Sequence, residues 1–240
     1  MWRTFFEICD RLVALIPNRK IREKIRHDKL YDYRKKFNAL RDVIAPHEFK
    51  RVRVIKGGWN IGFVINRKYV CKIRKFFDSD APIEKIMREK RITDAFAHIV
   101  PFKIPQIEIL SSGEYTFYKY KFIPGINLNR FSLRTMKKHH INLGKQLAEF
   151  IYTMHNTDPE QIRDLKITLG DGWNHNDICN NLIIDKKQMK IVGLIDWEYA
   201  GWGPLETEIK NCTKFSKKMP LSGIDTVIRQ EYKKLTSNNS

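Results

Sequence analysis

The feature that most constrains this 240-residue chain is a change of periodicity at Pro124-Gly125. Before it, residues 49–55, 62–65, 69–73, 107–110 and 115–122 are short β-branched and aromatic runs bounded by turn residues, and they read as five strands. Asn66-Arg67-Lys68 is the turn of one hairpin. A single helix over 82–97 breaks the series, with Ile83, Ile86, Ile92 and Phe96 on its apolar side. After Pro124-Gly125 the spacing becomes helical over 132–155, where Leu143, Leu147, Phe150, Ile151 and Met154 share one side, and again near 224–235. A short strand pair at 182–184 and 191–195 and a loop at 197–204 lie between these helices. The pattern predicts an α+β chain of two lobes, a small β-rich N-lobe over 48–123 and a mostly helical C-lobe over 124–240. A crevice between two such lobes is a preferred ligand position.

Residues 1–47 read differently, as a basic amphipathic helical extension. Trp2, Phe5, Phe6, Cys9, Leu12, Val13 and Ile16 recur at helical spacing until Pro17 stops the run. From 18 to 53 there are thirteen Lys or Arg against five Asp or Glu, threaded by Ile21, Ile25, Leu30, Tyr33 and Phe37. Two readings stand for this segment. It is a helix packed on the body of the protein with a solvated basic face, or residues 1–45 make peripheral contact with an anionic membrane. Nucleic acid is a weaker partner for the +18 net charge, because no binding motif accompanies it.

The rest of the composition excludes several classes. At 42% hydrophobic residues the chain can build a core, so wholesale disorder is ruled out. No apolar run is long enough to span a bilayer. The cysteines at 9, 71, 179 and 212 form no C-x-x-C pair, which argues against a disulfide scaffold or zinc ribbon. Reduced thiols and an opening unlike a secretory signal predict a cytoplasmic protein, with any peripheral contact at the inner face of the membrane.

The chemistry concentrates in Trp173-Asn174-His175-Asn176-Asp177-Ile178-Cys179-Asn180-Asn181, an apolar strand, a turn, and a second apolar strand ending in Asp196. Strand ends project side chains toward one place, so Asp177, Asn181 and Asp196 can converge. Phosphoryl transfer requires this set: a carboxylate to orient a hydroxyl and take its proton, and an amide and a carboxylate to hold magnesium.

His-Asn-Asp followed by Asn, then Ile-Asp-Trp-Glu-Tyr-Ala-Gly at 195–201, resembles the aminoglycoside phosphotransferase and choline kinase-like superfamily, whose fold is protein-kinase-like. The likeness runs over roughly residues 50–210, with its parts in the expected order. The 194–201 stretch is most similar to bacterial choline kinase-like proteins. The resemblance implies ATP and Mg2+ as cofactors and a small-molecule hydroxyl as acceptor. It makes Asp177 the catalytic-loop aspartate, supported through a hydrogen bond by His175. Asp196 and Asn181 become the magnesium ligands. Lys72 in Val70-Cys71-Lys72-Ile73 is the strand lysine that meets the nucleotide phosphates, and Glu89 is its ion-pair partner, with Glu84 second. Gly57, Gly58 and Gly62 form the loop over the phosphates, where a missing Cβ allows close backbone approach. Tyr120, Phe122 and Ile123 lie on the segment whose backbone binds adenine.

Two departures qualify the match. Three residues, rather than the usual four, separate Asp177 from Asn181, so either the loop is tightened or Asn180 and Asn181 divide the role. Pro204-Leu205-Glu206-Thr207-Glu208 stands where the family often has Asp-Pro and a later aspartate. A catalytically degenerate nucleotide-binding protein is therefore one alternative. For the acceptor, Trp173, Trp197, Tyr199 and Trp202, with Glu198 and Glu206, could hold the ammonium of choline or ethanolamine through cation–π contact, or the rings could simply fill the helical lobe. The excess of Lys and Arg suits instead a phosphorylated or sugar-linked anionic substrate at a membrane. The N-terminal segment resembles leaders of enzymes in bacterial surface-polysaccharide pathways, which implies as an alternative a sugar kinase of lipopolysaccharide or capsule biosynthesis.

Overall fold

The structure is a computed structural model that describes residues 12, 14–21, 31–44, 49–56, 60–74, 82–166, 170–214 and 218–238. Most of the helix read over 2–16 lies outside the described residues. The chain forms two compact units, Met1–Phe76 with Glu108–Lys119, and Phe77–Ile107 with Tyr120–Ser240.

The first unit is built on one five-stranded sheet. Its strands are β1 (Val52–Lys56), β2 (Asn60–Ile65), β3 (Tyr69–Arg74), β4 (Glu108–Ser112) and β5 (Tyr115–Lys121), in the order β1-β2-β3-β5-β4. The β2–β3 hairpin turns where Asn66 and Arg67 take φ of 54° and 57°, a conformation that Asn tolerates well. Helix α1 (Tyr31–Val43) belongs to this unit. Phe37, Leu40 and Ile44 are buried with Phe63, Ile65, Cys71 and Phe117 of the sheet, while Arg34, Lys35 and Arg41 stay exposed. The Phe37 ring meets Phe49 edge-on at 5.7 Å and Phe63 at 5.6 Å. α1 is thus packed on the sheet, with Lys36 buried and its other basic residues solvated.

The second unit is mostly helical. It holds α2 (Pro82–Phe96), α3 (Leu133–Lys138), α4 (His140–His155), α5 (Ile178–Asn181), α6 (Leu205–Lys214), α7 (Lys218–Ser222) and α8 (Ile224–Asn238). Two small sheets accompany them, β6-β8-β9 from Ile126–Asn127, Leu182–Asp185 and Lys190–Leu194, and β10-β7 from Gly201–Gly203 and Gly172–Asn174. Helices α4 and α8 come close at Gly144, where a Cβ would stand 2.6 Å from Val227 Cβ, so only glycine permits that approach. Among the described residues no helix is long and apolar enough to cross a membrane.

The structure departs from the periodicity at two places. The helix expected over 132–155 is broken at His139, which leaves helical geometry at φ −115° and ψ 15°. Ser132 caps the short first piece through Thr135 N–H, and the His140 ring donates to the Lys137 carbonyl at 2.6 Å, satisfying an acceptor at the break. The stretch read as a loop over 197–204 contains β10, whose pairing with β7 is set by Gly201↔Asn174 and Trp202↔Trp173. A three-residue strand has no periodicity to read.

Leu40 is fully buried in the contact between α1 and the sheet. Leu40→Ala should cost about 2–5 kcal/mol. Urea unfolding checks this against Ile83→Ala, an exposed position expected to change stability by less than about 0.5 kcal/mol.

Candidate active site

The site begins with the hairpin of β8 and β9. Leu182 pairs with Leu194, so Asn181 and Ile195 meet at the open end of the ladder, and Ile195 N–H donates to the Asn181 carbonyl at 3.2 Å. Asp196 follows in a left-handed conformation at φ +66°, off the ladder. A register shift at Ile183/Ile184 frees the Val192 carbonyl, which accepts from Lys103 N–H at 3.2 Å, while Leu194 N–H donates to the Lys103 carbonyl at 3.0 Å. Trp197 then fixes the exit of the strand. Its backbone N–H donates to Glu89 Oε1 at 3.0 Å and its indole Nε1 donates to the Leu194 carbonyl at 3.1 Å.

The loop before β8 holds the second acid. Its backbone turns through Asn176, also left-handed at φ +66°. The His175 ring is buried edge-on to Trp197 at 4.9 Å, and its Nδ1 accepts from Asp177 N–H at 3.2 Å, which places the ring proton on Nε2. The single turn of α5 brings two amides back onto the Asp177 carboxylate. Asn180 Nδ2 donates to Oδ1 at 2.8 Å and Asn181 Nδ2 donates to Oδ2 at 2.9 Å. The shortened spacing thus lets Asn180 and Asn181 grip one carboxylate oxygen each. Asn180 is itself held, its Oδ1 accepting from Asn129 Nδ2 at 2.7 Å and its carbonyl accepting from Asn127 Nδ2.

Three acids act together at the site, Asp177, Asp196 and Glu198. The half-buried Asp177 carboxyl is pushed above the ordinary range, first by burial and then by the charges of Asp196 and Glu198, against the pull of the two amides. Such an excess of negative charge fits a cation. Asn181 spends its N–H on Asp177, which leaves its Oδ1 as an oxygen donor. Among the described residues no group of three or more His, Cys, Asp or Glu could hold a metal ion. One carboxylate and one amide suit Mg2+, which takes few protein ligands and completes its shell with water and phosphate oxygens.

The other residues singled out in the sequence fall in known places. Lys72 lies on β3 opposite Gly62, buried, with its ammonium 5.5 Å from the centre of the Tyr118 ring. Gly57 and Gly58 lie outside the described residues. Glu89 is buried on the α2 stripe of Ile86, Ile92 and Phe96, whereas Glu84 is exposed in the first turn. Tyr120 and Ile123 are buried and Phe122 half-buried, at the end of β5 and just beyond it. Of the four rings near the loop, Trp173 and Trp197 are core residues that pack on Phe96. The Trp202 face already carries Lys166 Nζ at 4.0 Å, and Tyr199 alone is exposed.

Sequence reasoning did not assign Glu208 a role. It rises from α6 into the core, and its Oε2 accepts from Asn176 N–H at 2.8 Å, so it supports the loop from below. The departure at 204–208 was the signal that could have found it. Burial pushes its carboxyl from 4.5 up to about 7, although the N–H groups of Asn176 and His175 favour the ionised form, and the Asp177 charge adds to the rise. A raised carboxyl is protonated in both states below 4.5, so its full contribution is present there. Between 4.5 and about 7 the unfolded chain loses its proton first, and stability falls as pH rises through that window. The loss should approach about 3 kcal/mol at about 1.36 kcal/mol per pH unit. Glu208→Gln keeps an acceptor for Asn176 and should flatten this slope, as measured by urea unfolding from pH 4 to 8.

Residues 161–217 match the model of a family described as the phosphotransferase enzyme family. That stretch spans Asp177, Asn181, Asp196 and Glu208. No curated protein matches the chain in sequence. Solved structures do match. A GDP complex of aminoglycoside 2'-phosphotransferase-IIIa is 15% identical at a TM-score of 0.63, over 82% of this chain and 86% of that one. A macrolide 2'-phosphotransferase from Brachybacterium faecium is 13% identical at 0.58, over 85% and 82%. An aminoglycoside phosphotransferase from Streptomyces rimosus is 12% identical at 0.60, over 84% and 92%. The chain therefore has the protein-kinase-like fold of the aminoglycoside phosphotransferases, as the motifs at 175–181 and 195–201 led one to expect.

Proposed function

We propose that this chain is an ATP-dependent phosphotransferase acting on a hydroxyl of a small molecule. The observation that carries the reading is the two-amide grip on the Asp177 carboxylate next to Asp196. Asp177 would orient the acceptor hydroxyl and take its proton. The acceptor oxygen bonds to the γ-phosphorus, the bond from that phosphorus to the bridging oxygen breaks, and ADP leaves. His175 and Glu208 hold the loop, and Lys72 and Glu89 are the residues for the nucleotide side. Asp196 and Asn181 would hold magnesium, which supplies positive charge to the phosphate oxygens. Rate enhancement rests on positioning and charge, so no covalent enzyme intermediate is needed.

Support for an active enzyme over a degenerate one comes from the shortened loop, because both amides reach the carboxylate despite the missing residue. For the acceptor, a cage of several rings around a choline-like ammonium has little support, since only Tyr199 of the four is exposed. The +18 charge favours a sugar hydroxyl on an anionic molecule as the second and preferred reading. Cytoplasmic location with peripheral membrane contact accompanies it. Such contact would come from residues before α1, where Leu12, Leu15 and Ile21 are exposed.

Asp177→Asn should lower turnover by about 10²- to 10⁴-fold with the melting temperature nearly unchanged. Asp196→Ala should also weaken magnesium-dependent binding of a fluorescent ATP analogue. Wild-type turnover in Asp177→Asn, scored by product mass over choline, ethanolamine, hexoses, heptoses and aminoglycosides, would remove the assigned role. For the membrane, replacing Leu12, Leu15 and Ile21 together by Ser should reduce co-sedimentation with vesicles rich in anionic lipid, and equal sedimentation would refute it.

A further inference from the structure

Helix α2 carries a second feature next to Glu89. Its basic residues Lys90 and Arg91 are satisfied, Lys90 by Asp94 at 2.6 Å and Arg91 by both carboxylate oxygens of Asp164 and by the Gln161 carbonyl. Arg88 is not. Its guanidinium is half-buried, yet no carboxylate or carbonyl among the described residues pairs with it. Glu84, one turn earlier, is exposed and makes no ion pair with it. Burial pulls the Arg88 guanidinium below its ordinary range, with no charge among the described residues to offset the cost. A guanidinium has five donors in a planar fork, and withdrawing them from water without an acceptor is unfavourable.

The position is specific. A Cβ built at Gly201 would lie 3.1 Å from Arg88 Nη2, so the bare backbone of β10 leaves room for the guanidinium that another residue would narrow. Gly201 pairs with Asn174 on β7, three residues before Asp177. The Tyr199 carbonyl, two residues earlier, accepts from Asn176 Nδ2 at 3.0 Å. Arg88 thus sits over the same loop pair that places the Asp177 carboxylate, within one unit of the chain. The adjacent Glu89 accepts from Trp197 N–H at 3.0 Å.

We infer that Arg88, over the Gly201 backbone, is the recognition group for an oxyanion, a phosphate or carboxylate carried by the phosphoryl acceptor. Arginine binds either group through two parallel hydrogen bonds, which gives direction as well as charge. The acceptor class rests on the phosphotransferase reading above. The anion site itself rests only on the geometry of Arg88 and Gly201. A phosphate of the nucleotide is the other source of the same chemistry, and the test separates the two.

The probe is inorganic phosphate, titrated against chloride at matched ionic strength with the ATP analogue saturating, and read as the rise in melting temperature. Arg88→Met should weaken the phosphate effect about tenfold (about 1.4 kcal/mol). Gly201→Ala should weaken it in the same direction. Arg134→Met removes the same charge from an exposed site on α3 and should leave the effect intact. Affinity for the ATP analogue should stay within about twofold in Arg88→Met, since the anion belongs to the acceptor. An unchanged phosphate effect in Arg88→Met, an equal loss in Arg134→Met, or a loss confined to nucleotide affinity overturns the inference. Failure of the wild-type protein to bind the ATP analogue sinks the phosphotransferase reading instead, and the phosphate response, then read without nucleotide, still decides the anion site.

Discussion

Trp197 is the residue through which the site is held together. It is fully buried, its ring packs against Phe96, Phe150 and His175, and it gives away two hydrogen bonds, one to Glu89 and one to the Leu194 carbonyl. A large apolar side chain next to Asp196 thereby draws that acid to a fixed place at the end of β9. The same indole supports His175, which in turn holds the backbone of Asp177. Two acids nineteen positions apart share one anchor. Burial of a ring of this size is worth several kcal/mol, enough to hold the left-handed turn at Asp196.

The electrostatics of the second unit follow from that anchoring. Asp196 and Glu198 lie near enough to add to the rise of the Asp177 carboxyl, and Glu208 beneath the loop adds a fourth acid that burial pushes up to about 7. A protein of net charge +18 thus sets four of its 27 acids around one loop, against its overall sign. The amides of Asn180 and Asn181 orient the Asp177 carboxylate as neutral donors, and those of Asn127 and Asn129 hold Asn180 in turn.

Much of this was legible in the residues. The existence and order of the strands, the hairpin turn at Asn66-Arg67 and the long helices could be read because period and turn chemistry are local, although the strand ends shift by up to three residues. Glu89 entered only through the family resemblance, as a partner for Lys72, and its bond to the Trp197 N–H was not foreseen. The break at His139, the β7–β10 pair and the role of Glu208 were not legible. A three-residue strand carries too few positions to show a period. A glutamate on a helix reads as solvated until packing shows which side of that helix faces the core. The rings Trp173 and Trp197 likewise read equally well as ligand contacts or as core, and burial decides for core.

The sequence by itself determined that a β-rich part precedes a helical part and that no apolar run spans a bilayer. These depend on composition and neighbours along the chain. Tertiary structure alone decided that Asn180 and Asn181 share the Asp177 carboxylate, that Glu208 lies under the loop, and that Arg88 meets Gly201 without a partner among the described residues. The reason is physical. Hydrogen-bond partners and the cost of burial are set by distances between segments remote in sequence, and no local pattern encodes those distances.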